Sequence, residues 1–99
     1  MSIERLVGVY VTDEDAYQTY REKMFPILKS YGGDFGYDFK IAEVLKSEVS
    51  SPMNRVFTIY FKDEDSMDSF FNDESYLKIK LQYFKPSVSH VTEISKYVK

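Results

Sequence analysis

The feature that most constrains the fold of this chain is an internal echo. Val9-Tyr10-Val11-Thr12-Asp13-Glu14-Asp15 returns fifty residues later as Ile59-Tyr60-Phe61-Lys62-Asp63-Glu64-Asp65, and the match continues with Tyr20 against Phe70. Each copy reads as a strand that runs into the acidic start of an amphipathic helix. Asp13 and Asp63 stand where an N-cap carboxylate accepts hydrogen bonds from free helix N–H groups, and the acids that follow oppose the positive end of the helix dipole. Carboxylates also hold magnesium, but capping accounts for both triplets without an ion, so no metal site is expected.

The first helix is predicted over residues 14–31. Tyr17, Tyr20, Met24, Leu28 and Tyr31 recur at three- and four-residue spacing and share one face. Pro26 removes a backbone donor inside this segment, which predicts a kink or a tightened turn. Gly32-Gly33 ends the helix, because glycine takes left-handed dihedrals cheaply.

A strand is expected over residues 35–46, with Phe35, Tyr37, Phe39, Ile41 and Leu45 on one parity and a bend or bulge near Glu43. Residues 47–54, polar and proline-containing, read as a loop leading into a third strand at residues 55–62. A second helical region carries Met67, Phe70 and Phe71, pauses at Asn72-Asp73, resumes through Tyr76 to Phe84 and stops at Pro86. A last strand is expected over residues 87–98. The order βαββαβ in one domain, residues 1–99, is that of a ferredoxin-like α+β sandwich: an antiparallel four-stranded sheet with helices on one face.

Strand parity then separates the two faces of the sheet. Val7, Val9, Val11, Phe57, Ile59 and Phe61 form an apolar set that belongs beneath the helices. Tyr10, Val56, Thr58 and Tyr60 fall on the opposite face. Aromatic residues make up 17% of the chain, with 9 tyrosines and 8 phenylalanines, which is a large number of rings for one small core. An open face this apolar exceeds what a monomer usually exposes. A two-fold contact needs one self-complementary patch, so a homodimer packed through the open sheet face is expected.

Composition narrows the chemistry. Thirteen Lys and Arg against sixteen Asp and Glu leave a net charge of -3, unfavourable for nucleic acid, whose phosphates demand cations. RNA-recognition domains share the βαββαβ order and carry aromatics on the third strand, as Phe57 and Phe61 do here, but their basic Gly-Phe-Gly opening is missing. With no cysteine and one histidine, thiol chemistry and multi-histidine metal sites within one chain are excluded. No phosphate-binding glycine loop, nucleophile elbow or HExxH pattern is present, and no cofactor is expected. The first residues lack a cationic signal region and no stretch reaches the roughly 20 apolar residues of a membrane helix, so neither a membrane nor a nucleic acid is expected as a partner, and a cytoplasmic location is.

Tyr17-x-x-Tyr20, the run Pro26-x-Leu28-x-x-Tyr31-Gly32-Gly33, the strand ending Ile59-Tyr60-Phe61, and Ser75-Tyr76 resemble the small bacterial family called domain of unknown function 1330, from about Val9 to Val91. The resemblance implies a ferredoxin-like protomer that pairs as a dimeric α/β barrel. Two departures stand out. Asp38-Phe39-Lys40 replaces an arginine-glycine-glycine stretch on the second strand. A family arginine at the end of the second helix falls near Gln82 or Tyr83. An acidic ligand bound through those arginines would be lost or changed here.

Two functions are compatible with these residues. One is a dimeric module that binds a small apolar or aromatic ligand, with Tyr10, Tyr37 and Tyr60 as pocket walls and Asp38 as the polar group. The alternative, by analogy of fold, is a cofactor-independent enzyme similar to the monooxygenases and isomerases of the same superfamily. His90 is then the candidate for proton transfer, as the one side chain that titrates near neutrality.

Overall fold

The computed structural model describes residues 1–99. Strand β1 (Ile3–Val11) leads into helix α1 (Glu14–Ser30), followed by β2 (Asp34–Lys40) and β3 (Arg55–Phe61). Helices α2 (Glu64–Phe71) and α3 (Glu74–Ile79) come next, and α3 runs on into a π-helical turn, Lys80–Phe84, before β4 (Val88–Val98). The strands form one antiparallel sheet in the order β2-β3-β1-β4. The helices cover one face of it.

This is the ferredoxin-like sandwich expected from the repeat, with one correction. The sheet is open: β2 and β4 are its two edges and each has a single partner strand. Closing a sheet into a barrel requires its edges to pair, and here two strands separate them. The expected dimeric α/β barrel is therefore replaced by an open four-stranded sheet.

The local signals at the repeat are realised as capping. Asp13 Oδ1 accepts from the Ala16 N–H at 3.1 Å and Asp63 Oδ1 from the Ser66 N–H at 2.7 Å. A third cap, Asp73, starts α3 by accepting from the Tyr76 N–H at 2.9 Å. Helix α1 continues through Pro26 to Ser30. The chain then turns at Gly32, whose φ of 75° lies in the left-handed region that side chains disfavour.

Beneath the helices, Val7, Val9, Val11, Phe57, Ile59 and Phe61 pack against Tyr17, Tyr20, Met24, Leu28, Met67, Phe70 and Tyr76. The parity expected for β1 and β3 holds. That of β2 does not. Its register shifts between Phe35, which pairs with Ile59, and Asp38, which pairs with Phe57. This bulge at Gly36-Tyr37 puts an extra residue on β2, so Phe35 faces the helices while Tyr37 and Phe39 stack on each other, centroids 5.8 Å apart, on the open face. Strand β2 also ends at Lys40 rather than residue 46, and the bulge lies seven residues before Glu43. Residues 41–54 return as a long loop tied down at its end. Asn54 receives the Val11 N–H at 2.7 Å on Oδ1 and donates to the Val11 carbonyl at 2.8 Å.

Candidate functional site

An apolar cavity lies between the sheet and the helices. It measures about 250 Å³, is partly open to solvent, and is lined by 13 residues of which 10 are hydrophobic. Its floor is the helix-facing row of the sheet, with Val7, Phe57, Ile59 and Val91. Tyr20 and Met24 of α1, Phe71 of α2, Tyr76 of α3 and Phe84 of the π-helical turn close it above.

Three cations reach this apolar space: Arg5, Arg21 and Lys80. Arg5 stands on the same strand parity as Val7, Val9 and Val11, which carries it under the helices. Its guanidinium lies 5.1 Å from the Phe71 ring centroid and 3.0 Å from Glu93. Arg21 is the most committed of the three. It lies over the rings of Phe35 and Phe57 at 4.1 and 4.7 Å, donates from Nε to Tyr17 Oη at 2.9 Å, and meets Asp38 at 3.2 Å. Lys80 makes no ion pair.

At the helix side of the cavity the hydroxyls of Tyr20 and Tyr76 are 2.9 Å apart. Both residues are buried, at 5% and 3% exposure. Burial, reinforced by Tyr76, pushes the Tyr20 hydroxyl well above its ordinary pKa. Burial also raises Tyr76, while the hydrogen bond with Tyr20 and the positive charge of Arg5 work in the opposite direction. Both phenols are therefore neutral donors at ordinary pH.

The residues anticipated from the sequence do not converge on this cavity. Tyr10 and Tyr60 sit on the open face near opposite ends of the sheet, since Tyr10 pairs with His90 and Tyr60 with Glu4, six positions along β1. At a rise of about 3.4 Å per residue that separates them by roughly 20 Å. Tyr37 is 65% exposed on the same open face. Asp38 is on the helix side, where Arg55 grips it with two hydrogen bonds of 2.9 and 2.8 Å. His90 lies on the exposed end of β4, its ring nitrogen 2.9 Å from the Ser89 hydroxyl, with no carboxylate orienting it.

Arg5, Lys80 and the Tyr20–Tyr76 pair escaped the sequence reading, although two signals were available. A charge on the core-facing parity of an otherwise apolar strand marks Arg5. The four-residue spacing Tyr76, Lys80, Phe84 places a lysine on an aromatic helix face.

The open face carries a polar element of its own. Glu4, 7% exposed, accepts from the Tyr97 hydroxyl at 2.7 Å and lies 3.6 Å from Lys99 Nζ. Lys99 in turn sits 3.8 Å over the Tyr60 ring. Gly8 is covered by Met53, whose sulfur occupies the space a Cβ would need.

Residues 6–91 match the family described as Domain of unknown function (DUF1330). The chain belongs to that family. No curated protein matches it. Among solved structures it is similar to a protein of unknown function from Rhodopseudomonas palustris, with a TM-score of 0.84, 15% identity, and coverage of 99% of this chain and 82% of that one. A dabb family protein with a ferredoxin-like fold from Mesorhizobium loti follows at TM-score 0.68 and 14% identity, covering 99% and 96%. A dimeric ferredoxin-like protein of unknown function from Thermobifida fusca superposes at TM-score 0.67 and 10% identity, covering 100% and 92%. At these identities the likeness is one of fold. The tyrosines that carry the family resemblance acquire a structural role: Tyr20 meets Tyr76, and Tyr31 meets Asp73, across the α1–α3 contact. No helix is long and apolar enough to cross a membrane.

Proposed function

We propose that this member of the DUF1330 family binds a small, largely apolar or aromatic molecule between its sheet and its helices, and does so as a homodimer. The cavity carries the first part. At about 250 Å³ it falls just below the range of about 300–1,000 Å³ typical of ligand sites, and its walls are mainly aliphatic and aromatic with a few placed polar groups. A molecule of one or two rings is the matching size. The open face supports the second part: Tyr10, Tyr37, Phe39, Ile94 and Tyr97 all stand exposed there, and exposed apolar side chains gathered on one face mark an interaction surface.

Prodan, an uncharged fluorophore built on the two rings of naphthalene, tests the cavity. Its emission is expected to rise to saturation at one molecule per chain. Val91, 53% exposed at the cavity wall, can accept a larger side chain without disturbing the core. Val91→Trp is expected to weaken binding about tenfold by filling the entrance. Absence of saturable binding, or unchanged affinity in Val91→Trp, overturns the assignment.

A further inference from the structure

The Tyr20–Tyr76 pair leaves a proton unaccounted for. Two phenols carry two O–H donors, one hydrogen bond joins them, and neither hydroxyl has another partner in the protein. Both residues line the cavity and both are more than nine-tenths buried. A donor at the wall of an apolar cavity calls for an acceptor that enters it. Around the same space stand Arg5, held by Glu93, and Lys80, which has no anionic partner. A neutral hydrocarbon would fill the volume and leave the buried proton unanswered, whereas an acid also meets the unpaired ammonium of Lys80.

Building on the cavity reading above, we infer that the ligand is a small aromatic acid, with its ring against the apolar walls and its carboxylate placed to accept the spare tyrosine proton within the field of Lys80. Charge-assisted hydrogen bonds are roughly twice as strong as neutral ones, so the acid group supplies selectivity that the greasy walls lack. Arg21 is already committed to Asp38 and Tyr17, and Arg5 to Glu93, so the uncompensated charge at the site is that of Lys80.

The test compares 2-naphthoate with 2-methylnaphthalene, its uncharged counterpart, by calorimetric titration of the intact protein. The naphthoate is expected to bind about tenfold more tightly. The double substitution Tyr20→Phe and Tyr76→Phe keeps both rings and removes both hydroxyls, since either phenol alone would still offer its proton, and Lys80→Gln removes the charge from a partly exposed position; each is expected to erase most of that preference, read as the ratio of the two affinities within one variant. Equal affinity of the native protein for the two probes, or a preference that survives both substitutions, overturns the inference while the cavity assignment stands. Failure of both probes to bind overturns both.

Discussion

Tyr31 donates from its hydroxyl to Asp73 Oδ2 at 2.7 Å, while the other oxygen of Asp73 receives the Tyr76 N–H at 2.9 Å. One carboxylate thus joins the end of α1 to the start of α3. The hydrogen bond from Tyr31, with the backbone N–H of Tyr76 and then that of Ser75, holds the Asp73 carboxyl below its ordinary pKa. Tyr31→Phe is expected to let Asp73 titrate at higher pH, read from its carboxyl carbon by NMR. An unmoved titration would show that the tyrosine contact is not maintained in solution.

Asp38 gives a second, partly buried handle on pH. Burial by itself raises its pKa, but the hydrogen bonds from Arg55 and the attraction of Arg21 and Arg55 outweigh it and hold the carboxyl below the ordinary aspartate range. The folded state therefore binds this proton more weakly than the unfolded chain does. Its contribution is fully present above the unfolded pKa and is lost as pH falls through the folded one. Asp38→Asn is expected to cost about 1–2 kcal/mol at neutral pH, between the values for exposed and buried pairs. The difference from the native protein should shrink below pH 4 in urea titrations. A constant difference across that range would remove Asp38 from the acid response.

Phe70 sits at the centre of the aromatic core, with no exposed surface and ring centroids of Tyr76, Phe71 and Phe61 at 4.3, 5.0 and 5.6 Å. Phe70→Ala leaves a cavity that these rings cannot collapse into without abandoning one another, at an expected cost of about 3–5 kcal/mol. Phe70→Leu should cost clearly less. Similar losses for the two in equilibrium unfolding would point to the loss of ring contacts, rather than cavity volume, as the main effect.

Tyr60 lies on the open face between the Glu4–Tyr97–Lys99 cluster and β2. If two copies meet through this face, Tyr60→Asp buries an unpaired charge in the contact and is expected to give monomers by light scattering. A dimer that persists at micromolar concentration would locate the interface elsewhere.

What could be read from the chain alone was what depends on neighbours in sequence. The caps at Asp13 and Asp63, the turn at Gly32, and the alternation of Val7, Val9 and Val11 or Phe57, Ile59 and Phe61 all follow from local dihedral preference and strand pleat. The open sheet was harder to foresee, because the number of strands is local information while the pairing of edges is not. The bulge at Gly36-Tyr37 is likewise a consequence of how β2 meets β3, where Thr58 Oγ1 captures the Tyr37 N–H at 2.8 Å. That one extra residue moved Tyr37 and Phe39 away from Phe35 and undid the parity expected for the strand.

The site shows the same division. Repeat and helix periodicity determined that a layer of helices would cover an apolar sheet face. Only tertiary packing decided that Tyr20 and Tyr76, 56 residues apart, would meet hydroxyl to hydroxyl beside Arg5 and Lys80. A hydrogen bond between distant residues has no signature in either segment, because its geometry exists only once the helices have docked.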